Sequence, residues 1–324
     1  MALTLMDDLR MTKKLTILDI AKMAGVGKST VSRVLTNDPK VKPETRLKVE
    51  QIIKESGFTP SKSAQSMRGG SQKVIGIITA RLDSPSENKA VSAILEVIYR
   101  HGYDAVIMES QFDTQKTNEH LEVLRKRSVD GVILFGFTEC DMSEVERWNE
   151  RMVVIAMDTD KVSSINYDNN GVIRQALYHL SELSLTNIAY IGVDPSDKTT
   201  GKLRLDAYLN WCEEHELPPR FATGQLDHQS AYALVDSVLD DDIEAIVCAS
   251  DTLALGVAKR LQELHREDIQ ITGVGGNELL SFLFPNIISI NPGYQLAGES
   301  AAKQLLQQLD GVVNIAHLTQ PLSF

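Results

Sequence analysis

Residues 24–37 read AGVGKSTVSRVLTN, and the nature of the GVGKST inside them decides how the N-terminal part of the chain folds. The string matches the tail of a phosphate-binding loop, G-x-x-x-x-G-K-[ST]. That loop needs a glycine five residues before Gly27, where Lys22 stands. It also needs a buried strand feeding it, so that backbone N–H groups converge on the phosphates. The upstream TILDIAKMA instead sets Ile17, Ile20, Ala21 and Ala24 at i, i+3, i+4 and i+7, one apolar stripe of a helix. Thr16 offers an N-cap, Asp19 an acidic partner near the helix's positive end, and Gly25 an end to it. GVGKST therefore lies between two helices and is no nucleotide-binding loop.

Helix, short glycine-bearing turn and helix make the pattern of a helix-turn-helix. The second helix is expected over about 28–36, with Val31, Val34 and Leu35 inward and Lys28, Ser29, Ser32 and Arg33 outward. Small polar and basic side chains at a helix N-terminus suit a major groove, and Arg33 can fork onto a guanine. A third helix is expected from about Pro43 to Ser56, with Pro43 in its first turn and Leu47, Ile52 and Ile53 inward. A plain three-helix bundle with a solvated basic face would show the same pattern, but the charge distribution argues against it. Residues 1–70 carry 13 Lys+Arg against 7 Asp+Glu, a net of +6, whereas the whole chain is −11, so residues 71–324 carry −17. A basic module beside an acidic body seeks polyanions.

The length of 324 residues exceeds one typical domain, and 43% apolar residues suffice for a sizeable core. Cys140, Cys212 and Cys248 are far apart and fit no metal spacing, so they read as reduced thiols. No apolar run reaches the length of a membrane span. With Asp7 and Asp8 interrupting its start, the chain offers no secretion signal, and a cytoplasmic location is expected. Met11 could equally be the natural start. Residues 60–73, PSKSAQSMRGGSQK, read as a linker, yet 63–68 lack Pro and Gly and could form a turn or two of helix. Met67 beside Arg68 there suits an apolar wedge into a minor-groove step.

From Lys73 the pattern changes to short apolar runs with helical stretches between them. They are VIGIIT (74–79), AVIM (105–108), GVILF (131–135), MVVIAM (152–157), IAYIG (188–192), AIVCA (245–249), ITGVG (271–275) and IISI (287–290). Continuous apolar strands alternating with helices mean parallel sheets covered on both faces. Eight strands exceed one small sheet, and 164–171 reads as a crossing between two doubly wound α/β lobes with a cleft between them. In such sheets ligands bind beyond the carboxyl ends of the strands. The loops there supply Arg81, Asp83, Ser84, Glu87 and Asn88, then Gly136, then Asp197, Thr199, Thr200, Lys202 and Arg204, and finally Ser250, Asp251 and Asn277. This mixture favours a polyhydroxylated ligand with an anionic group, with Arg81 and Arg204 for the anion and Asp251, Glu87 and Asn277 for hydroxyls. No G-x-S-x-G, H-E-x-x-H or GxGxxG after the first strand is present, and the seven His are scattered, so no catalysis, metal or cofactor is expected.

TILDIAKMAGVGKSTVSRVLTN, the joint GFTPSKSAQSMR and the two-lobed body together resemble the lactose/galactose repressor family over nearly the whole chain. The resemblance implies a DNA-binding head at 11–60, a hinge helix or linker at 61–72, and a periplasmic-binding-protein-like body at 73–324 that binds effector and dimerises. It implies a homodimer on palindromic operator DNA. TARLDSPSEN, MESQF, DGVILFGFT, TTGKLRLDAYL and SDTLALGVAK are similar to members that answer to trehalose 6-phosphate as inducer, with another sugar, sugar phosphate or purine as the alternative effector. By the family pattern the DNA-contacting set is Thr16, Lys28, Ser29, Thr30, Ser32, Arg33 and Asn37, with Ala64, Met67 and Arg68 at the hinge. Two positions depart from the pattern, since the family commonly has Leu where Met67 stands and Ser where Gly27 stands. The phosphate-capturing role falls to Arg81, with Glu87, Gly136, Asp197, Thr199, Thr200, Arg204 and Asp251 lining the pocket and Tyr294 closing it.

Overall fold

The computed structural model describes residues 15–35, 38–58, 72–312 and 314–322. The chain divides between Gln72 and Lys73 into two compact units. In the first, α1 (Ile17–Ala24), α2 (Lys28–Leu35) and α3 (Pro43–Ser56) enclose a small core of Ile20, Ala21, Ala24, Val31, Val34, Val49 and Phe58. Thr16 caps α1 in a reciprocal box: the Thr16 N–H donates to the Asp19 carboxylate at 2.9 Å, and the Thr16 hydroxyl accepts from Asp19 N. Gly25, at φ +64°, ends α1 in the left-handed conformation that glycine adopts without strain. Two inward/outward expectations need correction. Ser32 is buried, because α2 packs on both α1 and α3 and its inward face is correspondingly wide. Leu47 is 67% exposed, because α3 faces the core with Val49, Ile52 and Ile53 at i, i+3 and i+4, and Leu47 lies around the other side. Asn37, Ala64, Met67 and Arg68 lie outside the described residues.

The second unit begins with β1 (Val74–Thr79), α4 (Pro85–Arg100), β2 (Asp104–Glu109), α5 (Thr114–Lys126), β3 (Gly131–Phe135), α6 (Met142–Glu146), β4 (Met152–Ile155) and β5 (Ser163–Tyr167). It continues with α7 (Asn169–Glu182), β6 (Ile188–Val193), a π-helical turn at Lys198–Leu203, α8 (Arg204–Glu214), β7 (Phe221–Gly224), α9 (His228–Val238), β8 (Ala245–Cys248), α10 (Asp251–Glu263), β9 (Gln270–Val274), α11 (Glu278–Leu283) and β10 (Ile288–Ile290). Then α12 (Tyr294–Leu309) and β11 (His317–Gln320) return to the first lobe. The two sheets run β11-β5-β4-β3-β1-β2 and β10-β9-β8-β6-β7, with every strand pair parallel. The first sheet is covered on both faces by separate apolar clusters, and the second is enclosed in one continuous core. Buried strand runs such as VIGIIT and GVILF follow from this double cover.

Three strands escape the apolar-run reading: SSINY, FATG and HLTQ. In SSINY and HLTQ, serine and histidine side chains find partners remote in sequence. Ser163 Oγ accepts from Ala316 N at 3.0 Å, and Ser164 Oγ bonds His317 Nδ1 at 3.0 Å. Residues 164–171, read as a crossing between the lobes, do hold one: they are the end of β5 in the first lobe, the Asp168 cap and the first turn of α7, which packs in the second lobe's core. The chain crosses between lobes three times: after β5, after β10 and after β11, where Leu322 rejoins the second lobe's core. Where α4 and α12 touch, Gly298 faces the Ala90 carbonyl so closely that any Cβ would overlap it.

Candidate ligand cleft and nucleic-acid-reading helix

On α2, Lys28, Ser29 and Arg33 are exposed, Thr30 is half-buried and Ser32 is turned inward. Ser29 and Arg33 stand one turn apart, on one face. The Arg33 side chain is 61% exposed, with Nε 3.8 Å from the Asp38 carboxylate. The helix N-terminus is free of acidic residues in its first turn, so nothing there repels a phosphate backbone.

The carboxyl ends of both sheets meet at a cleft in two adjoining compartments. Of the twelve residues expected to bind a ligand, eleven line it: Arg81, Ser84, Glu87, Gly136, Asp197, Thr199, Thr200, Arg204, Asp251, Asn277 and Tyr294. Asp83 does not. Its side chain is 86% exposed and its carboxylate sits 4.0 Å from Arg81 Nε, because Ser84 caps α4 and turns the preceding residue to solvent.

Several of these side chains are also structural. Ser84 accepts from Glu87 N, Asp197 from Gly201 N at 2.9 Å, and Asn277 from Leu279 N at 3.0 Å, each as a helix cap. Asp251 accepts from Asn277 N and from the Ser289 hydroxyl, both at 2.7 Å. Gly273 and Gly275 leave room for its carboxylate. Burial raises its pKa against those hydrogen bonds. Glu87 Oε2 accepts from Ala80 N at 2.7 Å and Arg81 N at 3.3 Å, yet burial outweighs these donors and pushes the carboxyl up to about 7.

The two arginines line the cleft from different lobes. Arg204 is 2% exposed and donates from Nε to Asn169 Oδ1 at 2.8 Å and from Nη1 to the Ala249 carbonyl, both neutral acceptors. Arg81 donates from Nη1 across the cleft to the Leu226 carbonyl at 3.3 Å, while its Nε is buried without a hydrogen-bond partner among the described residues. Two further bonds cross the cleft, Lys89 Nζ to the Gly276 carbonyl and Lys198 N to Thr138 Oγ1 at 3.0 Å.

The cleft also contains Phe112, Phe137, Tyr167, Asn169 and Leu226, none of them expected. Phe112 follows β2, so the rule that found Arg81 after β1 reaches it too. Tyr167 ends β5, Asn169 follows it and Leu226 follows β7, two strands whose polar sequences conceal them. Tyr167 packs edge-to-face on Tyr294 at 4.9 Å, and burial raises its pKa well above the ordinary phenol value.

A head of three short helices joined to two parallel α/β lobes has a clear match among known proteins. Residues 16–61 match the profile described as "Bacterial regulatory proteins, lacI family" and residues 177–323 the profile "Periplasmic binding protein-like domain". The HTH-type transcriptional regulator TreR of Salmonella typhimurium is 47% identical over 93% of this chain and 96% of its own length. The chain belongs to the lacI family. The solved trehalose repressor from Escherichia coli is 42% identical, covers 77% of this chain and 99% of its own, and superposes with a TM-score of 0.76. The lac repressor dimer bound to operator and the anti-inducer ONPF, 22% identical over 96% of this chain and 97% of its own, gives 0.84 and shows the shared fold. As a lacI-family member with these relatives, the chain is a DNA-binding transcriptional repressor and not an enzyme. Among the described residues no helix is long and apolar enough to cross a membrane, and no group of side chains is arranged to hold a metal ion.

Proposed function

We propose that this lacI-family repressor governs a trehalose uptake or utilisation operon and leaves its palindromic operator when trehalose 6-phosphate occupies the cleft. The observation that carries this reading is the pair of cleft arginines. Arg204 is buried among neutral acceptors, and Arg81 Nε is buried without a hydrogen bond, its nearest carboxylate being that of exposed Asp83 at 4.0 Å; a buried cation is costly unless an anion or a full set of acceptors meets it. A sugar phosphate supplies both kinds of partner: a charged group for Arg81, and hydroxyls for Arg204, Asp251, Asn277 and Glu87. The trehalose repressor among the solved relatives supports the choice of sugar.

In the same reading, Lys28, Ser29, Thr30 and Arg33 meet base edges, Thr16 and Asn37 meet the phosphate backbone, and the hinge residues Ala64, Met67 and Arg68 meet the minor groove. The working modules are a head at 11–60, a hinge at 61–72 and a body at 73–324. The body pairs with a second copy along the edge strands β2 and β7, where Ile107 and Phe221 are exposed and which hold the same place in the two sheets. Ligand closure of the lobes shifts that pairing and separates the hinges. The inducer must then bind more weakly to the DNA-bound dimer, by the same factor by which it weakens DNA binding.

Isothermal titration against trehalose 6-phosphate, trehalose, glucose 6-phosphate and a purine tests the effector. Trehalose 6-phosphate binds tightest in the wild type. Arg81→Ala abolishes most of the preference for the phosphorylated sugar and leaves operator binding intact. A variant that keeps the wild-type preference moves the phosphate site away from Arg81.

A further inference from the structure

The loop after β2 has an unusual backbone. Gln111 and Phe112 both lie in the left-handed region, at φ +56° and +57°. Neither is glycine, and bulky residues in that conformation are strained. Such strain persists only where the surroundings over-determine it, and here they do. Ser110 N and Gln111 N each donate at 2.8 Å, to Thr79 and Ala80 carbonyls. Ser110 Oγ donates to the Thr79 carbonyl at 3.2 Å, Asp113 N to Ser110 O at 3.0 Å, and Lys116 Nζ to Gln111 Oε1 at 2.7 Å.

The bonds deliver one side chain to an unexpected place. The Phe112 ring stays 43% exposed on the cleft wall, although burial would be the usual reward for a phenylalanine. A loop that only had to turn would carry Gly or Asn in this conformation. The ring lies 6.0 Å from the Arg81 guanidinium carbon and, edge-on, 6.0 Å from the ring of buried Phe137, which backs it. Among the described residues the Arg81 guanidinium is held by one hydrogen bond, to Leu226 O, and by a long ion pair to exposed Asp83 at 4.0 Å.

We propose that Phe112 is a specificity-determining residue of the cleft, holding the Arg81 guanidinium toward the ligand's anion and offering a flat face to the pyranose beside it. The proposal rests on the sugar-phosphate reading above. The negative face of an aromatic ring attracts both a guanidinium and the positive C–H edge of a sugar, so one ring serves both contacts. A guanidinium already held in place loses less rotamer freedom when the phosphate arrives, which raises affinity for the phosphorylated sugar above that for the free sugar. The strained backbone is what keeps the ring from folding back into the core.

The test is isothermal titration of the full-length wild type, Phe112→Leu, Phe112→Tyr and Phe112→Gly with trehalose 6-phosphate, trehalose and glucose 6-phosphate, with operator binding as the control for folding. Phe112→Leu fills the same space without a π face. It is expected to lose about tenfold in affinity for trehalose 6-phosphate, with a smaller loss for trehalose, so that the preference narrows. Phe112→Tyr keeps both. Phe112→Gly relieves the strain, so it melts no lower than the wild type and still binds weakly. Phe112→Leu with wild-type affinity and preference overturns the proposal, and so does an equal loss for the two sugars. A wild type that binds none of the three ligands overturns it together with the reading it rests on.

Discussion

Replacing Glu87 by glutamine isolates the energetic consequence of burying a carboxyl in the cleft wall. In the folded chain burial raises this carboxyl from 4.5 to about 7, against the opposing pull of the Ala80 and Arg81 N–H groups and of the Arg81 charge, with Asp83 adding to the rise. The native state therefore binds more protons than the unfolded chain between pH 4.5 and 7. Stability falls as pH rises through that window and levels off above it. The full difference is roughly 3 kcal/mol, and most of it falls between pH 5 and pH 8. Glutamine is neutral throughout and can still accept the two N–H bonds through its carbonyl oxygen. Urea unfolding of wild type and Glu87→Gln at pH 5, 6, 7 and 8 reads the effect directly. The stability of the wild type relative to the variant drops by about 2–3 kcal/mol from pH 5 to pH 8. Parallel profiles would refute the reasoning, because they would mean that Glu87 titrates alike in the folded and unfolded chain.

Two other changes reach the two units separately. Arg33→Ala weakens operator binding by about 1–3 kcal/mol and blurs preference at one base pair, measured by titrating a set of single-base operator variants, whereas equal losses on operator and random DNA would assign Arg33 to the phosphate backbone. Gly298→Ala drives a Cβ into the Ala90 carbonyl and forces α4 and α12 apart, so urea unfolding of the body should show a loss of about 1–3 kcal/mol, and a change under about 0.5 kcal/mol would mean that the helices can slide without cost.

What can be read from the chain alone is what short-range periodicity and charge record. The 3.6-residue spacing of Ile17, Ile20, Ala21 and Ala24 and the cap at Thr16 locate α1, and Pro43 and Gly57 bracket α3. Apolar runs locate eight of the eleven strands described, because those strands are covered on both faces. The segments that follow such strands contain all twelve expected ligand residues, and eleven of them line the cleft. Tertiary structure decides everything that depends on partners distant in sequence. SSINY and HLTQ become strands because Ser163 and Ser164 meet Ala316 and His317, more than a hundred residues away. Ser32 turns inward because two helices, not one, pack on α2. Glu87 stays protonated to about pH 7 because the cleft wall closes over it. Phe112 lines the cleft because bonds to β1 and the residue after it hold its backbone where no propensity would put it. A sequence window records which residues favour a helix or a strand, but burial, strain and hydrogen-bond satisfaction belong to the assembled fold, since each is set by atoms that only folding brings together.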